Sequence, residues 1–212
     1  EVAGRPFIEW VLQRLAACGV RRFVISLGHA AERASPYFAG RPADGLWLEA
    51  CCEPRPLGTG GAVRFAASAC EADVYLVANG DSLVMGDVAG AWRCLDDPRV
   101  DGVVVGIAVS DTSRYGSLIA DAEGRLQAFR EKQPGRGLVN AGVYLLRRHL
   151  VDAIPDGEAA SLEHEIIPLW LRQGARLMVH GVQGAFLDIG TPETLRQAEE
   201  FIQIAFDWKA VA

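Results

Sequence analysis

The chain has 212 residues, half of them apolar and 23% charged, with a formal net charge of -6. That is enough apolar sequence to bury a sizeable core, most simply as one domain. The acidic balance argues against a nucleic-acid binder, which would carry a basic face, but an anionic substrate stays open because local lysines, amides or a metal can outweigh the global sign.

In chain order, Pro6 followed by Ile8, Val11, Leu12 and Leu15 predicts an amphipathic helix that Gly19 can close. A strand is expected over Arg22 to Leu27, a poorer helix from about Ala30 to Phe38, and a strand over Leu46 to Glu53. A Gly-rich loop then leads to a helix from about Gly61 to Ala69 and to the apolar run Val74 to Ala78, which closes on Asn79-Gly80-Asp81. Strands alternating with helices indicate βαβ units and a mainly parallel sheet.

The second half changes character. Val103 to Val109 reads as a buried strand, and Ser117 to Ala120 with Arg125 to Arg130 flank the turn Asp121-Ala122-Glu123-Gly124 as a hairpin. Leu138 to Leu146 is a further strand, Leu162 to Arg172 a helix closed by Gly174, and Arg176 to His180 a strand. After Asp188, Thr191-Pro192-Glu193 starts a last helix with Thr as cap and Pro in the first turn. No internal repeat or linker interrupts the chain. The expected fold is α/β, a Rossmann-like mixed, mainly parallel sheet flanked by helices with an inserted hairpin.

The five cysteines at 18, 51, 52, 70 and 94 form no Cys-x-x-Cys pair and read as reduced, mostly buried small hydrophobes of a cytoplasmic protein. The histidines at 29, 149, 164 and 180 show no ligand spacing, so zinc is not expected. Stretches such as 102–109 are too short to cross a bilayer, and no signal peptide is visible.

Two acids stand out. Asp81 and Asp188 each fall at the end of an apolar run, and in an open α/β sheet ligands bind at the carboxyl ends of the strands. Two carboxylates there could share a hard cation such as Mg2+, which suggests phosphate chemistry. The alternatives stay open at this point, because Asn79-Gly80 is also a type I′ hairpin signal and Asp188 could be a helix-entry acid. The loop Glu53 to Ala62 has glycines that would let a backbone approach a ligand and amides that could point outward. It contains neither a G-x-G-x-x-G nor a G-x-x-x-x-G-K-[ST] pattern, and an ordinary strand-to-helix connection would look the same. Glu131-Lys132 offers a phosphate-binding charge beside a hydroxyl acceptor, or a solvated strand end.

Taken together and in this order, Leu57-Gly58-Thr59-Gly60-Gly61-Ala62, Asn79-Gly80-Asp81, Arg114-Tyr115-Gly116, Glu131-Lys132, Asn140-x-Gly142-x-Tyr144 and Asp188-Ile189-Gly190-Thr191-Pro192 resemble the sugar-1-phosphate nucleotidyltransferases. Within that family, the Leu-Gly-Thr-Gly-Gly loop and Ser161-Leu162-Glu163-His164-Glu165 look most like the D-glycero-α-D-manno-heptose 1-phosphate guanylyltransferases of bacterial surface-polysaccharide synthesis, with mannose 1-phosphate guanylyltransferases close behind. The resemblance implies that Asp81 and Asp188 hold Mg2+ and that Lys132 neutralises the sugar phosphate. It implies that Leu57, Gly58, Thr59, Gly60 and Gly61 cradle base and ribose with Asn79, Gly80 and Glu53 beside them. It places Tyr115, Gly116, Glu131, Asn140, Gly142 and Glu163 around the sugar. The expected substrates are a nucleoside triphosphate, GTP before ATP, and a sugar 1-phosphate.

Family members open with a strand and an Arg-bearing Gly-rich loop ahead of the piece matching Val2 to Pro6. With the chain starting at Glu1, the expectation is that this segment precedes the present sequence rather than that a triphosphate cradle has been lost. Two other readings stand beside the transferase: a regulatory protein that binds nucleotide sugars without catalysis, and a metal-dependent glycosyltransferase, which would not release pyrophosphate. The apolar tail Phe201, Ile202, Ile204, Phe206 and Trp208 is expected to pack on the core or on another subunit of a homo-oligomer.

Overall fold

The computed structural model describes residues 1–38, 45–113, 115–130 and 134–207. Helix α1 (Phe7–Ala17) leads to β1 (Arg22–Leu27), α2 (Ala31–Phe38), β2 (Trp47–Cys52), α3 (Gly58–Ala67), β3 (Val74–Ala78) and β4 (Ser82–Val84). A 3-10 helix (Ala89–Asp96) precedes β5 (Gly102–Val109), β6 (Ser117–Ala120), β7 (Leu126–Arg130), β8 (Gly137–Arg147) and α4 (Arg148–Asp152). A π turn (Leu162–Ile166) runs into α5 (Ile167–Arg172), followed by β9 (Leu177–Val182), β10 (Phe186–Asp188) and α6 (Pro192–Asp207).

The main sheet is six-stranded and runs β7-β6-β8-β5-β9, with β3 also on β8. Strand β8 is 11 residues long, and that length lets one edge serve two neighbours. Its first part meets β6 at Ser117↔Val139, its last part meets β3 from Ala78↔Val143 to Val74↔Arg147, and β5 lies along the other edge. The β5/β9 and β1/β2 pairs are parallel, whereas β3/β8, β5/β8, β6/β7 and β4/β10 are antiparallel. The result is a mixed α/β sheet flanked by helices.

Alternation along the central strands feeds two apolar layers. Val104, Tyr144 and Leu146 face a layer that holds Leu162, Ile167 and Trp170, while Val103, Val105, Val143 and Leu145 face one that holds Val88 and Ala91. A third cluster joins α1, β1, β4, β10 and α6 through Trp10, Phe23, Leu83, Leu187 and Ile202. No helix among the described residues is long and apolar enough to cross a membrane.

Several local expectations hold to the residue. Strand β1 has the expected bounds, and β6 pairs β7 antiparallel across the Asp121–Gly124 turn. Thr191 caps α6 reciprocally: its hydroxyl accepts from the Thr194 amide at 3.2 Å while its own amide donates to the Thr194 hydroxyl at 3.3 Å. Of the apolar tail, Ile202 is buried and Phe206 lies 4.8 Å from Trp10, ring to ring, so this end packs on the core; Ile204 stays exposed and Trp208 lies outside the described residues.

Others need correction. Helix α3 begins at Gly58, three residues before the expected Gly61, so the glycine run is its first turn rather than a loop. The cysteines are half-buried, with Cys52 exposed; Cys51 and Cys52 lie on β2, a strand with few fully covered positions. Helix α4, five residues long, and the 3-10 helix were not expected, although the Asp87 carboxylate accepts from the Gly90 amide at 2.9 Å where the latter begins.

Candidate active site

Strand β3 delivers Asn79-Gly80-Asp81 to its carboxyl end, and the chain turns at once into β4, which pairs with β10 rather than folding back on β3 as a hairpin. In that antiparallel ladder Asp188 stands opposite Ser82, one residue from Asp81. The Ile189 amide also donates to the Asp81 carbonyl at 2.9 Å. The ladder therefore brings two acids together from positions 107 apart in the chain, since Ser82 and Asp188 are separated by 106.

The buried Ser82 hydroxyl sits between them, 3.2 Å from Asp81 Oδ1 and 3.3 Å from Asp188 Oδ2. A hydroxyl has a single hydrogen, so the two carboxylates share it. The Gly190 amide donates to Asp188 Oδ1 at 2.7 Å, and a Cβ at Gly190 would lie 2.8 Å from that oxygen, which is why a residue without a side chain stands there. Asp81 keeps open surface, yet the protein packed around its carboxyl group withdraws solvent. That desolvation first, and then the charge of Asp188, push its pKa up, against hydrogen bonds from Ser82 and its own backbone that pull it down. Among the described residues no basic side chain pairs with either aspartate.

A second polar cluster lies next to the first, with Glu163 close enough for its charge to raise Asp81 slightly. Its base is a bulge in β8. Between the pairs Val104↔Tyr144 and Gly106↔Asn140 the register shifts, and Gly142 takes φ +69 within the extra length. In a regular strand, residues four apart are about 13 Å apart along the chain. Here Asn140 Nδ2 donates to the Tyr144 hydroxyl at 2.6 Å, while Asn140 Oδ1 accepts from the Gly142 amide at 3.0 Å. Tyr144 then donates to Glu163 Oε1 at 2.7 Å. Glu163 Oε2 accepts from Thr59 at 2.9 Å, and Thr59 in turn accepts from the Leu162 amide at 2.8 Å.

The remaining expected residues divide. Tyr115 stacks edge-on with Phe186 of β10 at 5.6 Å, and the Gly116 carbonyl accepts from the Asn140 amide, so both lie beside the two clusters. Gly142 gives its amide to Asn140 and its carbonyl accepts from the Asn79 amide, leaving no free N–H for a sugar. Gly80 has ordinary backbone and room, its Cβ position 3.4 Å from Ile8 Cδ1.

The glycine run needs a different explanation from the one its composition suggested. Gly60 and Gly61 donate their amides to the Ala160 carbonyl, and the Leu57 amide donates to Glu53 Oε2. Added Cβ atoms would strike the Ala160 carbonyl at Gly58, Ile166 at Gly60 and the Glu158 carbonyl at Gly61, the last at 2.3 Å. These glycines let segment 158–166 close against α3. Leu57, Gly60 and Gly61 are buried, leaving Gly58 and Thr59 as the exposed part of the run. Glu53 also accepts from Ser26 at 2.9 Å, so each of its oxygens already holds one internal bond. Arg114, Glu131 and Lys132 lie outside the described residues.

Two contributors were missed. Ser82 follows Asp81 directly, and its signal was only its place after the acid. Tyr144 stood in the Asn-x-Gly-x-Tyr motif, but plain alternation would hold it about 13 Å from Asn140 along the strand, and the bulge at Gly142 is what brings the two into contact. A groove of about 730 Å³ runs under β7 beside Arg125, Arg172 and Arg176 and reaches Glu163 at one end, but it touches neither aspartate, and the chemistry belongs where the carboxylates converge.

Residues 1–204 match the family model described as nucleotidyl transferase. A mannose-1-phosphate guanylyltransferase of Mycobacterium tuberculosis is 33% identical over 194 residues, covering 90% of this chain and 54% of that protein. The chain thus spans about half the length of this relative. A D-glycero-α-D-manno-heptose 1-phosphate guanylyltransferase of Aneurinibacillus thermoaerophilus is 25% identical over 205 residues, covering 95% of this chain and 87% of that protein. Among solved structures, HddC from Yersinia pseudotuberculosis complexed with GMP-PN superposes with a TM-score of 0.83 at 27% identity, over 95% of this chain and 88% of that one.

Proposed function

Because the chain belongs to the nucleotidyl transferase family, we propose that it moves GMP from GTP onto a sugar 1-phosphate and releases pyrophosphate. A heptose 1-phosphate is the favoured acceptor, supported by the length and coverage of the Aneurinibacillus relative and by the likeness to HddC. The higher identity to the mycobacterial relative supports mannose 1-phosphate as the second reading.

The observation that carries the proposal is the aspartate pair joined by Ser82. Two like charges held together without a basic partner among the described residues are unfavourable, and a divalent cation relieves them. The donors are the carboxylate oxygens of Asp81 and Asp188 with the Ser82 hydroxyl between them. That fits Mg2+, which takes one or two carboxylates and leaves its other positions to water and phosphate oxygens. Bound there, Mg2+ would neutralise charge on the reacting phosphates.

The chain's own residues would then position two anions, as phosphoryl chemistry mainly requires. In the proposal a sugar-1-phosphate oxygen attacks the α-phosphorus, its bond to the bridging pyrophosphate oxygen breaks, and pyrophosphate leaves in line. Lys132 would hold the nucleophile's phosphate, while Glu131, Asn140, Glu163, Tyr115 and the Gly116 carbonyl take up the sugar. Gly58 and Thr59, with Asn79 and Gly80, would face the nucleotide. Each Glu53 oxygen keeps a lone pair that could accept from the N1-H and N2-H2 edge of guanine, an edge adenine lacks.

A pyrophosphate-release assay across GTP, ATP, CTP and UTP with mannose and heptose 1-phosphates tests the proposal. GTP is expected to lead by about tenfold or more, because adenine would turn its N1 lone pair toward the Glu53 carboxylate and leave its own polar edge unpaired at about 1 to 3 kcal/mol. Equal use of another triphosphate removes the guanylyl assignment. No release with any pair removes the transferase.

A further inference from the structure

We infer that Tyr144, which nothing above assigns to a substrate, is the positioning residue that sets the sugar 1-phosphate subsite, by holding Asn140 and Glu163 in one fixed orientation. The inference rests on the transferase reading and deepens it. Tyr144 is fully buried and its ring belongs to the apolar layer of α5, yet its hydroxyl reaches two polar residues on different elements. The bond directions are forced. The Asn140 amide nitrogen has only hydrogens to give, so the hydroxyl accepts from it and must give its own hydrogen to Glu163.

That one group therefore settles two orientations. Asn140 can turn neither way round, because its oxygen is held by the Gly142 amide and its nitrogen by Tyr144. Glu163 is gripped from both sides, by Tyr144 on Oε1 and by Thr59, with a longer bond from Ser161, on Oε2. The acceptor lone pairs left on Glu163 and the second Asn140 amide hydrogen then point in directions decided by the protein before substrate arrives, which is how a polyhydroxyl ligand is told from its epimers. Burial, and then the Glu163 charge, keep the phenol far above its usual range, so the donor stays protonated across any working pH.

Tyr144→Phe removes the hydroxyl and keeps the ring. Its KM for the sugar 1-phosphate, and the dissociation constant measured calorimetrically, are expected to rise about tenfold or more, as for loss of a hydrogen bond to a charged group. The KM for GTP and the shape of the pH profile should stay as in the wild type. A merely structural tyrosine would lower the melting temperature and leave the sugar-phosphate constants alone, and that result overturns the inference. Should Tyr144→Phe fail to fold, Thr59→Val, at an exposed position, removes the shorter of the two bonds on Glu163 Oε2 and leaves only the 3.4 Å bond from Ser161. A rise in the sugar-phosphate KM then supports the inference, and an unmoved one ends it. A wild-type chain that neither binds nor uses mannose or heptose 1-phosphate overturns the transferase reading and this inference with it, whereas an active wild type with unmoved variants overturns the positioning role alone.

Discussion

Asp81 shows how the ionisation of a single residue can work against the stability of the fold. Its carboxyl group titrates higher in the fold than in an unfolded chain, from desolvation first and the Asp188 charge second. The folded state therefore binds the proton more tightly, and ionising Asp81 subtracts from stability. The loss is absent below the ordinary carboxylate range, sets in as pH rises from there through the raised folded value, and persists above it. At neutral pH without divalent cation, Asp81→Asn is expected to match or exceed the wild type in Tm while losing most of its turnover. Added Mg2+ should raise the Tm of the wild type and not of the variant, because only the wild type gains a bound ion. If Asp81→Asn instead lost Tm in step with activity, Asp81 would be a structural acid. Neither acid's partner was legible from its neighbours, since the pairing comes from a ladder between β4 and β10, each three residues long.

At the scale of elements, the start of α3 carries the clearest test. Gly61 and Gly116 look alike in the sequence, both small residues in a motif. In the fold, a Cβ at Gly61 would lie 2.3 Å from a backbone carbonyl that cannot swing away, whereas one at Gly116 meets nothing nearer than 3.7 Å. Gly61→Ala is expected to destabilise by about 1 to 3 kcal/mol, the usual range for overpacking, and to weaken sugar-phosphate use as segment 158–166 shifts Glu163. Gly116→Ala should change Tm by less than about 0.5 kcal/mol equivalent, as for an unhindered surface change. Denaturant melts of the two variants decide it, and equal losses would show that the glycines serve the same purpose. The helix boundary was misplaced for the same reason. Glycine weakens a helix intrinsically, so the run read as loop, and only the packing of 158–166 onto it repays that weakness.

Across the whole molecule, the aspartates depend on a cluster far larger than the site. Strand β10 is held by Leu187 in the layer that α1 and α6 complete, with Ile202 almost wholly covered. Ile202→Ala is expected to cost about 2 to 5 kcal/mol, transfer and cavity together. Its sugar-phosphate and GTP constants should be unchanged at low temperature, where the fold remains populated. Altered KM values in the still-folded variant would mean that α6 tunes the site directly. By itself the sequence determined the bounds of β1, the β6/β7 hairpin, the Thr191 cap and the two acids as candidates, because each is written in adjacent residues: hydrophobic alternation, turn chemistry, a cap beside a proline. The tertiary structure alone decided that Ser82 joins the acids, that the glycine run packs rather than gapes, and that Tyr144 donates to Glu163. Those contacts join residues as far apart as Ser82 and Asp188, 106 positions along the chain, and local pattern carries no information about a pairing that only chain packing creates.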